Sequence, residues 1–65
     1  MRIEVNGEAR EIEAPTLALL LQELGLGGQL VATALNREFV RAKDRDDTQL
    51  RDRDAVEIVS PRQGG

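Results

Sequence analysis

The side chains that most often carry covalent or acid–base chemistry are missing from this sequence: its 65 residues include no cysteine and no histidine. Disulfides, thiolate nucleophiles, imidazole bases and the usual zinc sites are excluded. Three other patterns could do chemistry. Asp44, Asp46 and Thr48 have the spacing of the first three ligands of a calcium loop. Such a loop needs glycine at its sixth position and glutamate at its twelfth, and Gln49 and Ala55 stand there instead. The run GLGG, Gly25 to Gly28, could cradle a phosphate, but phosphate loops lie between a strand and the start of a helix. Here the glycines follow a helical pattern, so they are read as a connection. The third pattern is the end of the sequence, SPRQGG, where Gly64 precedes Gly65 and its carboxylate. Chain ends are commonly poorly ordered and glycine is costly to order. These residues are therefore either a frayed end or a segment whose smallness and freedom are its use.

A chain of this length makes one domain, burying only about 60% of the surface that it exposes when unfolded. No apolar run approaches membrane-spanning length, and MRIEVNGEAR alternates rather than forming the apolar block of a signal peptide. A soluble, cytoplasmic protein with no membrane partner is expected. The formal charge of −3 is unevenly spread. Residues 1–36 carry two basic and five acidic side chains, and residues 37–54 carry six of each. Phe39 is the only aromatic residue, and no basic patch with interleaved aromatics appears, so no nucleic-acid partner is expected.

Elements able to position the tail are legible along the chain. MRIEV sets Met1, Ile3 and Val5 against Arg2 and Glu4, the alternation of a half-buried strand. Asn6–Gly7 is a strong hairpin signal, because both residues tolerate positive φ. EAREIE returns as a weaker strand with Ile12 its core candidate. Thr16 is the expected N-cap of a helix on which Leu17, Leu20, Leu21 and Leu24 share one face, with Leu19 partly exposed and Gly25 at the C-terminal cap. LVATALN, with Val31, Thr33 and Leu35 alternating against Ala32 and Ala34, reads as a strand covered on one face, and REFV as a short one. The charged segment up to Asp54 reads as a solvated, charge-paired loop that Leu50 pins to the core. AVEIVS supplies the last strand, with Val56 and Ile58 on one face. One helix on one face of a mixed sheet is an α+β arrangement, with the last strand expected parallel to the first at the sheet centre. Residues 1–59 are expected to form the globular domain and residues 60–65 a flexible tail, with Pro61 marking the exit because it cannot donate to a ladder.

An NGE hairpin, a leucine-rich helix, ALN, a charged connection into RDRDAVEIV and a terminal QGG together resemble the ThiS family of sulfur carriers in thiamine biosynthesis, over essentially the whole chain. Two places depart from the family pattern: Arg37 and Arg53 stand where glycine is frequent. The resemblance implies the ubiquitin-like β-grasp fold with four to five strands. It also implies a carrier rather than an enzyme, with no catalytic residue, metal or bound cofactor of its own. In the implied chemistry an E1-like adenylyltransferase uses ATP to convert the Gly65 carboxylate to an acyl-adenylate. Sulfur from a donor such as a cysteine desulfurase then displaces AMP, and a thiazole synthase consumes the resulting thiocarboxylate. Gly64 and Gly65 are implied because a side chain would clash or restrict the backbone in a narrow channel. Six extended residues reach at most about 20 Å. Related carriers for molybdopterin synthesis or tRNA thiolation share the fold and the tail; a ubiquitin-like or RNA-associated module that only binds is a further alternative, but it would not need a terminal Gly-Gly. For docking, Phe39 is expected in the core. The open sheet face near the tail and the charged segment, with Arg53 and Arg62, are expected to share the contact.

Overall fold

Ile3 and Val5 are buried while Arg2 and Glu4 face water, the period-two pattern of strand β1 (Arg2–Val5). The computed structural model describes residues 1–60; the expected tail from Pro61 onward, with Arg62, Gly64 and Gly65, lies outside the described residues. Asn6 and Gly7, with φ of 52° and 84°, reverse the chain into β2 (Glu8–Glu11), so that Val5 pairs with Glu8 and Arg2 with Glu11. A two-residue loop with both φ positive twists in the sense of the strands it joins. All of β2 is exposed, and the core residue of this arm is Ile12, just beyond the strand and 2% exposed.

Helix α1 (Leu17–Glu23) begins where Thr16 Oγ1 accepts from the Leu19 amide at 3.2 Å. The Leu17 amide donates to Thr48 O at 2.9 Å and the Leu20 amide to Thr16 O at 2.9 Å, so the first turn leaves few donors unmet. Gly25, at φ 79°, ends the helix as expected. Leu26 N reaches Leu21 O at 2.7 Å and Gly25 N reaches Gln22 O at 3.0 Å, the paired bonds of a Schellman cap. The Glu23 carboxylate accepts from Ala14 N at 3.0 Å and from Glu13 N, tying the helix end to the connection that precedes it. Two turns of helix are marginal alone; burial of Leu17 and Leu20, both 0% exposed, holds this one in place.

Strands β3 (Ala32–Leu35), β4 (Glu38–Val40) and β5 (Ala55–Val59) complete a sheet of order β2-β1-β5-β3-β4. β5 is parallel to β1 and antiparallel to β3, so the last strand lies at the centre as the sequence suggested. The core fills the one face covered by α1: Ile3, Val5, Ile12, Ala14, Leu17, Leu20, Leu50 and Val56, with Leu24, Leu35, Val40 and Ile58 packed around it. Leu21 is buried but not part of that cluster.

The charged segment is more ordered than a solvated loop. Residues Ala42–Asp47 form a 3₁₀ helix. Arg45 turns inward from it, with Nε donating to Thr33 Oγ1 at 3.0 Å and a terminal nitrogen to Val31 O at 2.7 Å. Thr33, 2% exposed, in turn donates from Oγ1 to Val40 O at 2.9 Å. Beyond the 3₁₀ helix, Leu50 is buried as expected, and its amide donates to Pro15 O at 3.0 Å.

The β3–β4 loop, Asn36–Arg37, repeats the geometry of Asn6–Gly7 with φ of 50° and 72°, and Arg53 before β5 sits at φ 75°. For a residue with a Cβ the left-handed region costs roughly 1–2 kcal/mol, offset by the roughly 0.5–1 kcal/mol that glycine's larger unfolded-state entropy would cost. Arg37→Gly and Arg53→Gly should therefore each raise stability by about 0.5–1 kcal/mol in denaturant titrations. In the same assay Leu20→Ala should lose about 2–5 kcal/mol, a large part of the stability of so small a domain. A melt of Leu20→Ala that matched the parent would mean that the helix does not depend on its buried face.

Candidate functional site

The last described residue, Ser60, follows directly on the central strand, so whatever comes after it leaves from the middle of the sheet. β5 is held on both sides along its length. β1 departs from it at Asn6, yet the Asn6 carboxamide takes over: its Oδ1 accepts from Ile58 N at 2.9 Å and its Nδ2 donates to Ile58 O at 3.2 Å. The start of β5 is held the same way from the other flank. Asn36 Oδ1 accepts from Ala55 N at 2.9 Å, and Asn36 N donates to Ala55 O at 2.7 Å. An amide side chain has both a donor and an acceptor to offer here, which a carboxylate lacks. The expected site residues Gly64 and Gly65 lie outside the described residues; what the structure supplies is the fixed base from which that segment departs.

Beside that base the sheet presents its uncovered face. Strand alternation sends Glu57 and Val59 away from α1, and with them Ala32, Ala34 and Phe39. The register sets Phe39 beside Ala34, Ala34 beside Glu57, and Ala32 beside Val59. Together with Thr33 these residues line a shallow hollow of about 190 Å³. Phe39 is 70% exposed and Val59 59% exposed.

The exposure of Phe39 overturns its expected place in the core. Thr33 pairs with Val40 and Leu35 with Glu38 across the β3–β4 ladder. Val40 packs on the core, so the residue before it must point to the other side, where no helix lies. The sequence held the signal. Reading Asn36–Arg37 as a two-residue loop sets Phe39 opposite Ala34, which already alternated against the inward Thr33. The consequence for docking is that the one aromatic of the chain is available at the surface.

Arg53 is not brought near Ser60. It precedes β5, whereas Ser60 follows it, so the two lie at opposite ends of a strand about 17 Å long. The calcium-like spacing serves local structure: the Asp44 carboxylate pairs with Arg41 Nε at 2.9 Å, and the Thr48 hydroxyl donates to Asp44 O at 2.8 Å. Among the described residues no group of His, Cys, Asp or Glu side chains could hold a metal, and no helix is long and apolar enough to cross a membrane. The arrangement offers an exposed, mainly apolar face beside the end of the central strand.

Comparison with known proteins agrees over the whole chain. The ThiS family model matches residues 3–65. The sulfur carrier protein ThiS of Thermus thermophilus is 43% identical over 61 residues, which are 94% of this chain and 95% of that protein. The crystal structure of the thiamine biosynthesis protein ThiS from Geobacter metallireducens superposes with a TM-score of 0.85 at 29% identity, covering 100% of both chains. A solution structure from the same organism gives 0.80 at 29% identity, over 100% of this chain and 88% of that one. The five-stranded mixed sheet with one main helix is thus a β-grasp fold, as the sequence led us to expect.

An exposed Phe39 has a direct consequence for stability. Phe39→Ser should leave the denaturation midpoint within about 0.5 kcal/mol of the parent, as surface substitutions do. A loss of several kcal/mol would put the ring back in the core.

Proposed function

The chain belongs to the ThiS family, and on that premise we propose that it is a sulfur carrier of thiamine biosynthesis that bears its sulfur on the carboxylate of Gly65. The observation that carries the reading is the family match running through residue 65, so that the Gly64–Gly65 pair falls within the shared pattern. The composition is in keeping with it: with no cysteine in the chain, no side chain can hold sulfur for transfer as a persulfide.

The chemistry asks little of this chain and much of its partners. A carboxylate oxygen is a poor leaving group. An E1-like adenylyltransferase would join it to the α-phosphate of ATP, releasing pyrophosphate. A sulfur nucleophile at the sulfide level, released by a thiol reductant from the persulfide of a donor such as a cysteine desulfurase, would attack the acyl carbon. A C–S bond forms, the C–O bond to AMP breaks, and a thiocarboxylate results. Thiazole synthase would then use that group as a nucleophile. ATP is the partner's substrate on this reading, and the chain itself is a protein substrate rather than a catalyst.

Residues 1–59 serve as the handle and residues 60–65 as the reactive arm. Glycine at the last two positions keeps the arm narrow and free of φ restrictions. The hollow around Phe39 and Val59 is the proposed seat for the adenylyltransferase. An apolar centre bearing an aromatic, with polar residues around it, is the usual anatomy of a protein contact, and this one adjoins the base of the arm.

Incubating the chain with the adenylyltransferase of the same genome, ATP and a sulfur donor should add the mass of one sulfur in place of one oxygen, located on Gly65 by fragmentation. Deleting Gly64 and Gly65 should abolish activation and leave the melting curve nearly unchanged. Gly65→Ala, which keeps length and charge, should slow activation severely. Sulfur found elsewhere, or a truncated chain that still supports thiazole formation, would refute the reading. A thiocarboxylate that forms but never enters thiazole would assign the chain to another sulfur pathway.

A further inference from the structure

Two arginines occupy backbone positions at which glycine is cheaper, and the chain contains its own control. The Asn6–Gly7 and Asn36–Arg37 loops have nearly the same φ values, 52° and 84° against 50° and 72°. One uses glycine and the other does not. Arg53 repeats the departure at φ 75°. Neither strained residue gains a visible structural partner. Both are exposed, and among the described residues neither side chain enters the salt bridges formed by Arg2 and Arg41 or the hydrogen bonds formed by Arg45.

Two neighbouring acids, Asp52 and Asp54, are engaged elsewhere, and among the described residues Glu4 and Glu38 form no ion pair with either arginine. Asp52 accepts from Arg2 N at 2.8 Å. Asp54 accepts from Arg51 N at 2.7 Å and from Asn36 Nδ2 at 3.1 Å. That last bond, together with the two between Asn36 and Ala55, clamps the two turns to each other. Arg37 and Arg53 therefore share one end of the sheet, the end away from Ser60. Arg53 also adjoins the uncovered face, and Arg37 lies in the loop leading into β4. Arg53 lines a depression there with Glu4 and Ala9, and Arg37 lies two residues from Phe39.

A solvated arginine without a role gains nothing from a left-handed backbone. We propose that Arg37 and Arg53 form a paired guanidinium contact for carboxylate side chains of the protein that seats on the Phe39 face, and that they set its orientation. This rests on the reading of that face as the adenylyltransferase seat. A protein is favoured over a nucleic acid or a polyphosphate for two reasons. The same sheet carries the Phe39 hollow, lined mainly by Ala32, Ala34, Phe39 and Val59, and the chain as a whole carries a formal charge of −3, which repels polyanions. A single apolar anchor leaves a partner free to rotate about it. Charges at the far end of the strand define the axis along which the arm must point, and planar guanidinium groups suit carboxylates in two-pronged geometry.

The test pairs affinity with stability. The parent, Arg37→Gly, Arg53→Gly and the double variant would be titrated against the adenylyltransferase of the same genome at low and at high salt. Each single variant should bind about tenfold more weakly at low salt, and the double variant weaker still, with the gap narrowing at high salt. The same variants should melt at or above the parent temperature, which a general structural defect would not produce. Variants that gain stability yet bind like the parent would overturn the proposal while leaving the carrier reading intact. A parent that is neither bound nor adenylated would overturn both. If inorganic pyrophosphate bound the parent and not the double variant, the site would take phosphate, and the assignment to protein carboxylates would fall.

Discussion

The parallel pairing of β1 with β5 is the constraint on which the rest of the molecule depends. Glu4 N donates to Asp54 O and Asn6 N to Val56 O, each at 2.9 Å, joining two segments from opposite ends of the sequence. Without that join the chain would be two hairpins, and an isolated hairpin is at best marginal in water. Parallel strands cannot be linked by a tight turn and need a long crossover, and the helix within this one covers the junction. Ile3, Val5 and Val56 meet beneath Leu17 and Leu20 only once the last strand is in place. Closure of the core and placement of the base of the tail are therefore one event.

Side-chain amides and one hydroxyl finish what the ladders begin. Asn6 and Asn36 hold the first positions of two equivalent loops, and each reaches into β5, one near its end and the other at its start. Both tasks use the carboxamide as donor and acceptor together, so asparagine serves where aspartate would leave a polar group unmet. Thr33 and Arg45 do comparable work on the other flank, tying the 3₁₀ helix to β3 through a nearly buried hydroxyl. A thin core is thus supplemented by a few well-placed polar bonds that join segments far apart in sequence.

Much of this was legible beforehand because the signals were local. The alternation of MRIEV, the Asn–Gly loop, the Thr16 cap and the Gly25 terminator each depend on residues within a few positions of one another. Two features were not legible because they depend on distant partners. The 3₁₀ helix in the charged segment is stabilised through Thr33 and Val31, neither of which its own sequence announces. Phe39 was misplaced by a general rule about large apolar side chains, when the loop before it already determined its side of the sheet. The proposed reactive residues were marked by composition and by their place after the last strand rather than by any side-chain constellation. That is why the candidate site could be named from the sequence while the surface beside it could not.

The bond pair between Asn6 and Ile58 also bears on how the molecule carries mechanical load. Any partner that draws on Ser60 pulls β5 along its own axis. Both neighbours, β1 and β3, run alongside that axis, so the traction acts as shear across two ladders rather than as peeling from one end. In shear, many bonds share the force and must yield together, whereas a peeled strand gives them up singly. The Asn6 carboxamide extends the shared region to the next-to-last residue of β5, where an unaided strand would begin to lift. The globule is thereby built as an anchor whose grip is firmest along the line on which its own end is pulled.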